Sequence, residues 1–451
     1  MNNIIEVTFQ IVELIKHLYP NRETIPLHEP YFWGNEKKYV LDCIESTFVS
    51  SVGKYVDHFE EMIRDFTGAK YAIATVNGTS ALHIALKLAG VGKGDLVLTQ
   101  PLTFIATCNA ITYCGAEPIF VDIDPETLGM SPDSLENWLY ANTIIQDDAC
   151  YLKEVHESTN LHKLSQVQES TNLHKLSQIK ESTNLHKLSQ IKESTNLHKL
   201  SQIKGLSNSN SSKLVKIRGL KKIAACVPMH TFGHPCKIDQ IIEICNRYHI
   251  PVVEDAAESI GSYYKGKHTG TFGKLGILSF NGNKTITTGG GGMILTDDDE
   301  LGPLAKHITT TAKKAHPWKF EHDMIGYNYR LPNINAALGC AQMEMLPEIL
   351  KNKRETAQIY QDYFKKIADI EFITEPKESI SNYWLNAILL KNEEERDALL
   401  EQANTQKVMC RPAWILMNKL TMFSQCLKAE IPISEEIESK LVNIPSSYRN
   451  N

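Results

Sequence analysis

The chain has 451 residues, 42 % of them hydrophobic, with 47 basic and 53 acidic side chains mixed along its length for a formal net charge of −6. That length suits two or three domains of roughly 100 to 200 residues each, and the lack of a basic block speaks against a nucleic-acid partner bound through its phosphates. No apolar run reaches the roughly 20 residues that cross a bilayer, and ten cysteines scattered without Cys-x-x-Cys pairs fit a reducing compartment, so a cytoplasmic protein with no membrane partner is expected.

Residues 1–28 open with MNNIIEVTFQIVELIKHLYP, where Glu6 and Glu13 interrupt the apolar pattern and neither a basic start nor a small-residue cleavage site is present. They read as an N-terminal segment ahead of a large domain over 29–320. In that domain KYAIATV (70–76) is a short β-branched run, and NGTSALHIALKLAG (77–90) opens on a turn pair and continues with helical periodicity to a glycine. LVLTQP predicts a strand, TFIATCNAITYCG a helix and EPIFVDID a strand.

The order then breaks. Residues 157–204 are four copies of a 12-residue unit, ESTNLHKLSQ followed by Val-Gln or Ile-Lys, and the tract ends in the linker-like GLSNSNSSK. Copies this alike read as a duplication, and 151–212 is expected to be an insertion on the surface of the large domain. His162, His174, His186 and His198 recur with the unit, so duplication accounts for them without a metal.

Beyond the insertion IAACVPM predicts a strand, IDQIIEICNRYH a helix and IPVVEDA a strand. Cys236 near His230 and His234 in MHTFGHPC raises a metal site, but a second ligand cluster at recognisable spacing is missing, and no metal is predicted. A smaller C-terminal α+β domain is expected over 321–451, its clearest helix being LPEILKNKRETAQIYQDYFKKIAD. Repeated βα units predict an α/β fold with a mostly parallel sheet and ligands beyond the carboxyl ends of its strands.

Three features fall at those ends. Asn77-Gly78-Thr79-Ser80 starts a helix directly after a strand, which offers amides and the positive end of a helix dipole to an anion, although plain helix capping also explains it. Asp255 ends an apolar strand, where a carboxylate is costly unless a cation or donor meets it; capping the next helix is the alternative. Lys284 stands between the apolar GILSF and four glycines in LSFNGNKTITTGGGGMI, and a lysine in a pocket becomes an amine nucleophile toward an aldehyde, whereas on an exposed loop it has no such role. A phosphate, a ring nitrogen that gains from a carboxylate, and an aldehyde together describe pyridoxal 5′-phosphate. Phe104, just after another strand, is placed to stack on its ring.

The motifs NGTSALHIAL, GDLVLTQPLTFIATCNAI, GAEPIFVDIDPETLGM, EDAAESIGSYYKGKHTGTFG, LSFNGNKTITTGGGGMI and GYNYRLPNINAALG, in this order, resemble those of the DegT-type sugar aminotransferases. The resemblance implies the fold type I, aspartate aminotransferase-like architecture. It makes Lys284 the cofactor tether and Asp255 the partner of the pyridine nitrogen, with Gly78, Thr79 and Ser279 on the phosphate and Phe104 on the ring. Glu258 falls near the ring hydroxyl, where many members carry His or Gln. Asn328 matches a position that reaches the cofactor phosphate of the neighbouring subunit, which implies a homodimer with shared active sites.

PLHEPYFWGNEKKYVLDCIESTFVSSVGKYVDHFE, PMHTFGHPCKID and CRPAWILMNKL look most like the legionaminic acid and bacillosamine branch. By that resemblance the reaction moves an amino group from L-glutamate to C4 of a nucleotide-linked, UDP in the usual case, 4-keto-6-deoxy N-acetyl hexose used for nonulosonic acid, bacillosamine or a related surface glycan. The rivals are a sugar dehydratase of the same fold, whose members generally carry His at the tether position, and a silent scaffold whose repeats recruit a partner.

Overall fold

A computed structural model describes residues 2–153 and 220–450. The four repeats and their histidines lie outside the described residues. The chain starts with α1 (Asn2–Leu18), α2 (Glu36–Glu45) and α3 (Lys54–Thr67). In α3 the buried residues Tyr55, Val56, Phe59 and Ile63 form one stripe, and the helix stops at Gly68, whose φ of 77° is left-handed. Alternation follows: β1 (Tyr71–Thr75), α4 (Gly78–Leu88), β2 (Leu96–Thr99), α5 (Ile105–Tyr113), β3 (Glu117–Phe120) and α6 (Pro132–Asn142), then the hairpin of β4 (Thr143–Gln146) and β5 (Ala149–Leu152).

After residue 220 come β6 (Ile223–Val227), α7 (Ile238–Arg247), β7 (Val253–Asp255), the short β8 (Tyr263–Tyr264) and β9 (Lys267–His268), then β10 (Leu275–Ser279), β11 (Gly292–Thr296) and α8 (Leu301–Thr309). The strands β2, β6, β10 and β11 are buried at every residue, as expected of near-continuous apolar runs covered on both faces. Pairing gives the orders β3-β2-β6 and β7-β10-β11-β1, and bridges Cys226↔Val252 and Met229↔Asp255 run parallel between β6 and β7. The result is one sheet, parallel except for β11, which pairs antiparallel with both β10 and β1.

Residues 151 and 152, expected to open the insertion, belong to β5, and the two ends that flank 153–220 meet at one place. Leu152 donates its N–H to Lys221 O at 3.0 Å, and Tyr151 bridges Lys222. Apart from the stretch 153–220, the chain 1–152 and 221–451 forms a single compact unit.

The C-terminal part contains α9 (Asn333–Phe364), β12 (Glu371–Phe372), β13 (Ser379–Ile380), β14 (Asn386–Leu389), α10 (Glu393–Thr405), β15 (Arg411–Pro412), α11 (Pro432–Lys440) and β16 (Leu441–Ile444). β12, β14, β16 and β15 make an antiparallel sheet in that order. α9 begins well before the predicted helix at Leu346 and runs through Pro347. Its first half buries Ala336, Ala337, Gly339, Cys340, Ala341 and Gln342 on nearly all sides, so the polar–apolar alternation that marks a helix in sequence is missing there. The same helix supplies Ala336, Cys340 and Leu346 to the core around Phe59 and Phe280, and Ala357, Tyr360 and Phe364 to the core of the C-terminal sheet. α1 joins that second core through Ile11, Val12 and Ile15. Among the described residues no helix is long and apolar enough to cross a membrane.

Candidate active site

The carboxyl ends of β1, β7 and β10 meet at a cavity of about 340 Å3. β1 hands over to α4 through Asn77, whose Oδ1 accepts the Ser80 N–H at 2.8 Å and caps the helix. That cap leaves the Gly78 and Thr79 amides at the positive end of the helix dipole, on the cavity wall beside Ser279. Only glycine fits at 78, since a Cβ there would lie 2.8 Å from Ser279 Cβ. Backbone amides and the Ser279 hydroxyl thus converge where an anion would sit.

Asp255 is 4 % exposed. Its Oδ2 accepts from Thr107 Oγ1 at 2.7 Å and its Oδ1 from the Ala257 N–H at 3.2 Å. These neutral donors do not offset the loss of water, and burial pushes the carboxyl above its usual range. A protonated ring nitrogen in the cavity would supply the missing cation.

Lys284 lies in the loop after β10, its N–H bonded back to Asn281 O at 3.0 Å. Its Nζ is 3.0 Å from Glu258 Oε1 and 3.9 Å from the centre of the Trp384 ring. The indole is itself fixed, because Trp384 Nε1 donates to Asn283 O at 2.7 Å. Glu258 is 2 % exposed, and its Oε2 accepts the Phe232 N–H at 2.9 Å. Burial raises its pKa to about 7, with Lys284 acting in the opposite sense. Near neutral pH this carboxyl is therefore divided between a form that accepts from Lys284 and a form that can donate to an oxygen in the cavity. The role left open for Glu258 by its departure from His or Gln has a physical basis in that protonation.

Phe104 is 46 % exposed at the start of α5 and forms a wall of the cavity beside Trp414, ring centres 6.1 Å apart. Gly78, Thr79, Phe104, Asp255, Glu258, Ser279 and Lys284 thus line one site. Asn328 does not: it bridges Thr310 and accepts from Arg330 Nη2 at 3.4 Å. Sequence reasoning missed Thr107 and Trp384. Thr107 follows Phe104 by three residues on one helix face, a usable signal, whereas nothing local marks Trp384.

The neighbouring MHTFGHPC segment has a structural use. His230 Nδ1 accepts the Cys236 N–H at 3.2 Å, so its proton lies on Nε2, which meets Glu254 Oε2 at 3.0 Å. Glu254 also accepts from the N–H groups of Gly270, Phe272 and Gly273 and so anchors the loop before β10. Among the described residues no group of three His, Cys, Asp or Glu side chains could hold a metal ion.

Pyridoxal 5′-phosphate answers the needs of this cavity: its phosphate suits the amides at the start of α4, its ring nitrogen relieves Asp255, and its aldehyde lies within the chemistry of Lys284. A largely parallel sheet of this order with that site defines the fold type I class of pyridoxal-phosphate enzymes. Helicobacter pylori PseC, an aminotransferase involved in the biosynthesis of pseudoaminic acid, has this fold with a TM-score of 0.72 at 20 % identity, over 94 % of this chain and 93 % of that one.

A family profile for the DegT/DnrJ/EryC1/StrS aminotransferases matches residues 32–185 and 211–449, and the chain belongs to that family. It is a pyridoxal-phosphate-dependent sugar aminotransferase. The GDP-perosamine synthase of Escherichia coli O157:H7 is 33 % identical over 94 % of this chain and 93 % of its own length. The UDP-2-acetamido-2-deoxy-3-oxo-D-glucuronate aminotransferase of Pseudomonas aeruginosa is 26 % identical over 87 % of this chain and 86 % of its own.

Proposed function

We propose that the protein transfers the amino group of L-glutamate to C4 of a nucleotide-linked 4-keto-6-deoxy hexose, in the cytoplasm, for a nonulosonic acid, bacillosamine or related surface glycan. The observation that carries this reading is the meeting of Lys284, Asp255 and the free amides of α4 in one cavity. A retained lysine at the tether position speaks against a dehydratase and against a silent scaffold.

When bound, the cofactor supplies a conjugated ring that takes up the electron pair left on a substrate carbon. Gly78, Thr79 and Ser279 hold its phosphate, Phe104 covers a ring face, and Asp255 keeps the ring nitrogen charged. Lys284 Nζ would tether the group and is the amine placed to take the proton from the glutamate α-carbon. Glu258 accepts from Lys284 Nζ at 3.0 Å when ionised and, when protonated, would offer a donor to an oxygen of the bound group. Trp384 closes the site on the side of Nζ and excludes water there.

A uridine diphosphate link and a C2 acetamido group are supported by the quoted segment resemblance and by the name of the Pseudomonas relative. A guanosine diphosphate sugar is the second reading, favoured by the name of the E. coli relative at its higher identity. The homodimer is supported by an apolar surface in the stretch before Asn328, where Trp318, Phe320 and Ile325 are 75 %, 81 % and 86 % exposed. Asn328 would then serve the phosphate of the neighbouring subunit.

The test is visible absorbance. The native protein should show a band that bleaches with L-glutamate and returns with a uridine-linked or guanosine-linked 4-keto-6-deoxy sugar, and Lys284→Ala should show neither change. A native band indifferent to glutamate would sink the reading. Phe320→Glu should convert a dimer to monomers in light scattering.

A further inference from the structure

Lys284 Nζ rests between Glu258 Oε1 at 3.0 Å and the Trp384 ring at 3.9 Å, and these residues come from separate stretches of chain. None of the roles assigned above explains what holds the stretches in place. One side chain does so: Asn382, fully buried in the segment that leads into Trp384. Its Nδ2 donates to the backbone carbonyls of Glu258 at 2.9 Å and Ile260 at 2.8 Å, and also reaches Thr285 Oγ1, next to the lysine, at 3.2 Å. Its Oδ1 accepts the Trp384 N–H at 2.8 Å. A single amide thus meets the segments that carry Glu258, Lys284 and Trp384.

The surroundings of Asn382 are built to keep it there. Its own N–H donates to Ser262 Oγ at 3.0 Å, and that hydroxyl donates to Gly233 O at 2.7 Å. A Cβ at Gly233 would overlap Asn382 Oδ1, and the backbone there is left-handed with φ 96°, so only glycine suits the position. Phe232 beside it holds φ at 57°, a costly value for a bulky side chain, and from that conformation gives its N–H to Glu258 Oε2 at 2.9 Å. Turning the amide over would set its oxygen against carbonyls and leave the Trp384 N–H unmet, which fixes it in one orientation.

We propose that Asn382 is a positioning residue for the cofactor tether: it sets Glu258 and Trp384 on either side of Lys284 and so keeps Nζ aimed at the cofactor aldehyde. Asn382 lies behind the cavity wall formed by Glu258, Lys284 and Trp384 and acts through them. Small departures in aim cost large factors in rate, which is what residues locking a reactive group from behind prevent. The inference rests on the reading of Lys284 as the tether.

The test separates aim from binding in the full-length apoprotein. Growth of the protein-bound visible band after mixing with saturating pyridoxal phosphate reports how fast Nζ meets the aldehyde. Calorimetry with pyridoxamine phosphate, which has no aldehyde, reports the phosphate and ring contacts alone. Asn382→Ala should slow the band about tenfold while pyridoxamine phosphate affinity stays within about twofold of native, less than one hydrogen bond is worth. Ser262→Ala, which frees only the Asn382 backbone, should slow the band about threefold, and it carries the test if Asn382→Ala does not fold. Native rates in the folded variants overturn the positioning role and leave the tether intact. So does a loss of pyridoxamine phosphate affinity that matches the loss of rate, the mark of a residue that only supports the fold. A native protein that forms no band, or a band that forms as fast in Lys284→Ala, overturns the tether reading and this inference with it.

Discussion

Lys284 and Glu258 touch at 3.0 Å where their side chains are 11 % and 0 % exposed, so each is the other's main electrostatic surrounding. The Glu258 carboxyl titrates near 7 in the folded protein instead of near 4.5. Between those values the unfolded chain has released its proton and the folded one has not, so the group's contribution to stability falls as pH rises through this window. In the apoprotein, Glu258→Gln should therefore gain in Tm relative to native protein from about pH 4.5 to about pH 7 and level off above; a constant difference would show ordinary ionisation. Asp255→Asn keeps the shape and the Thr107 contact but removes the charge that balances a ring nitrogen. Its kcat should fall on the order of a hundredfold or more, as for other groups that meet developing charge in a dry site, and kcat within a few-fold of native would remove Asp255 from that role. Asp255 was legible in the sequence because it ends an apolar strand, whereas Glu258 entered only through the family resemblance. Trp384 was not legible, because its place over Lys284 depends on a hydrogen bond spanning 101 residues.

At the scale of elements, α4 ties the sheet to the site through Asn77 and Gly78. Asn77→Ala loses the cap on Ser80 N and should cost about 1 kcal/mol in a denaturant titration. Gly78→Ala should do more, since its Cβ would stand 2.8 Å from Ser279 Cβ and part the start of α4 from the end of β10. The sign to look for is weaker retention of the cofactor on dialysis, and unchanged retention would mean that α4 shifts freely. The central strands were readable because burial on both faces demands continuous apolar runs. The start of α9 at Asn333 was not, because a helix buried all round shows no periodic face, and Pro347 resembles a beginning when it lies inside.

For the whole molecule, the hydrogen bond from Leu152 to Lys221 means that the strands flanking the repeat tract are already joined without it. Replacing 153–220 with a short Gly/Ser linker should leave Tm equal or slightly higher, because a shorter loop costs less to close, and should keep the response to glutamate. A collapse of Tm would show that the tract supports the fold. By itself the sequence determined the βα alternation and Lys284, Asp255 and Gly78 at strand ends, because those features are written in periodicity and in polar residues that break it. Only the tertiary structure decided that α1 shares a core with the C-terminal sheet, that Glu258 rests on Lys284, and that Asn382 ties together the segments carrying Glu258, Lys284 and Trp384. Such neighbours are set by which buried surfaces fit together, and that fit leaves no local pattern in the chain.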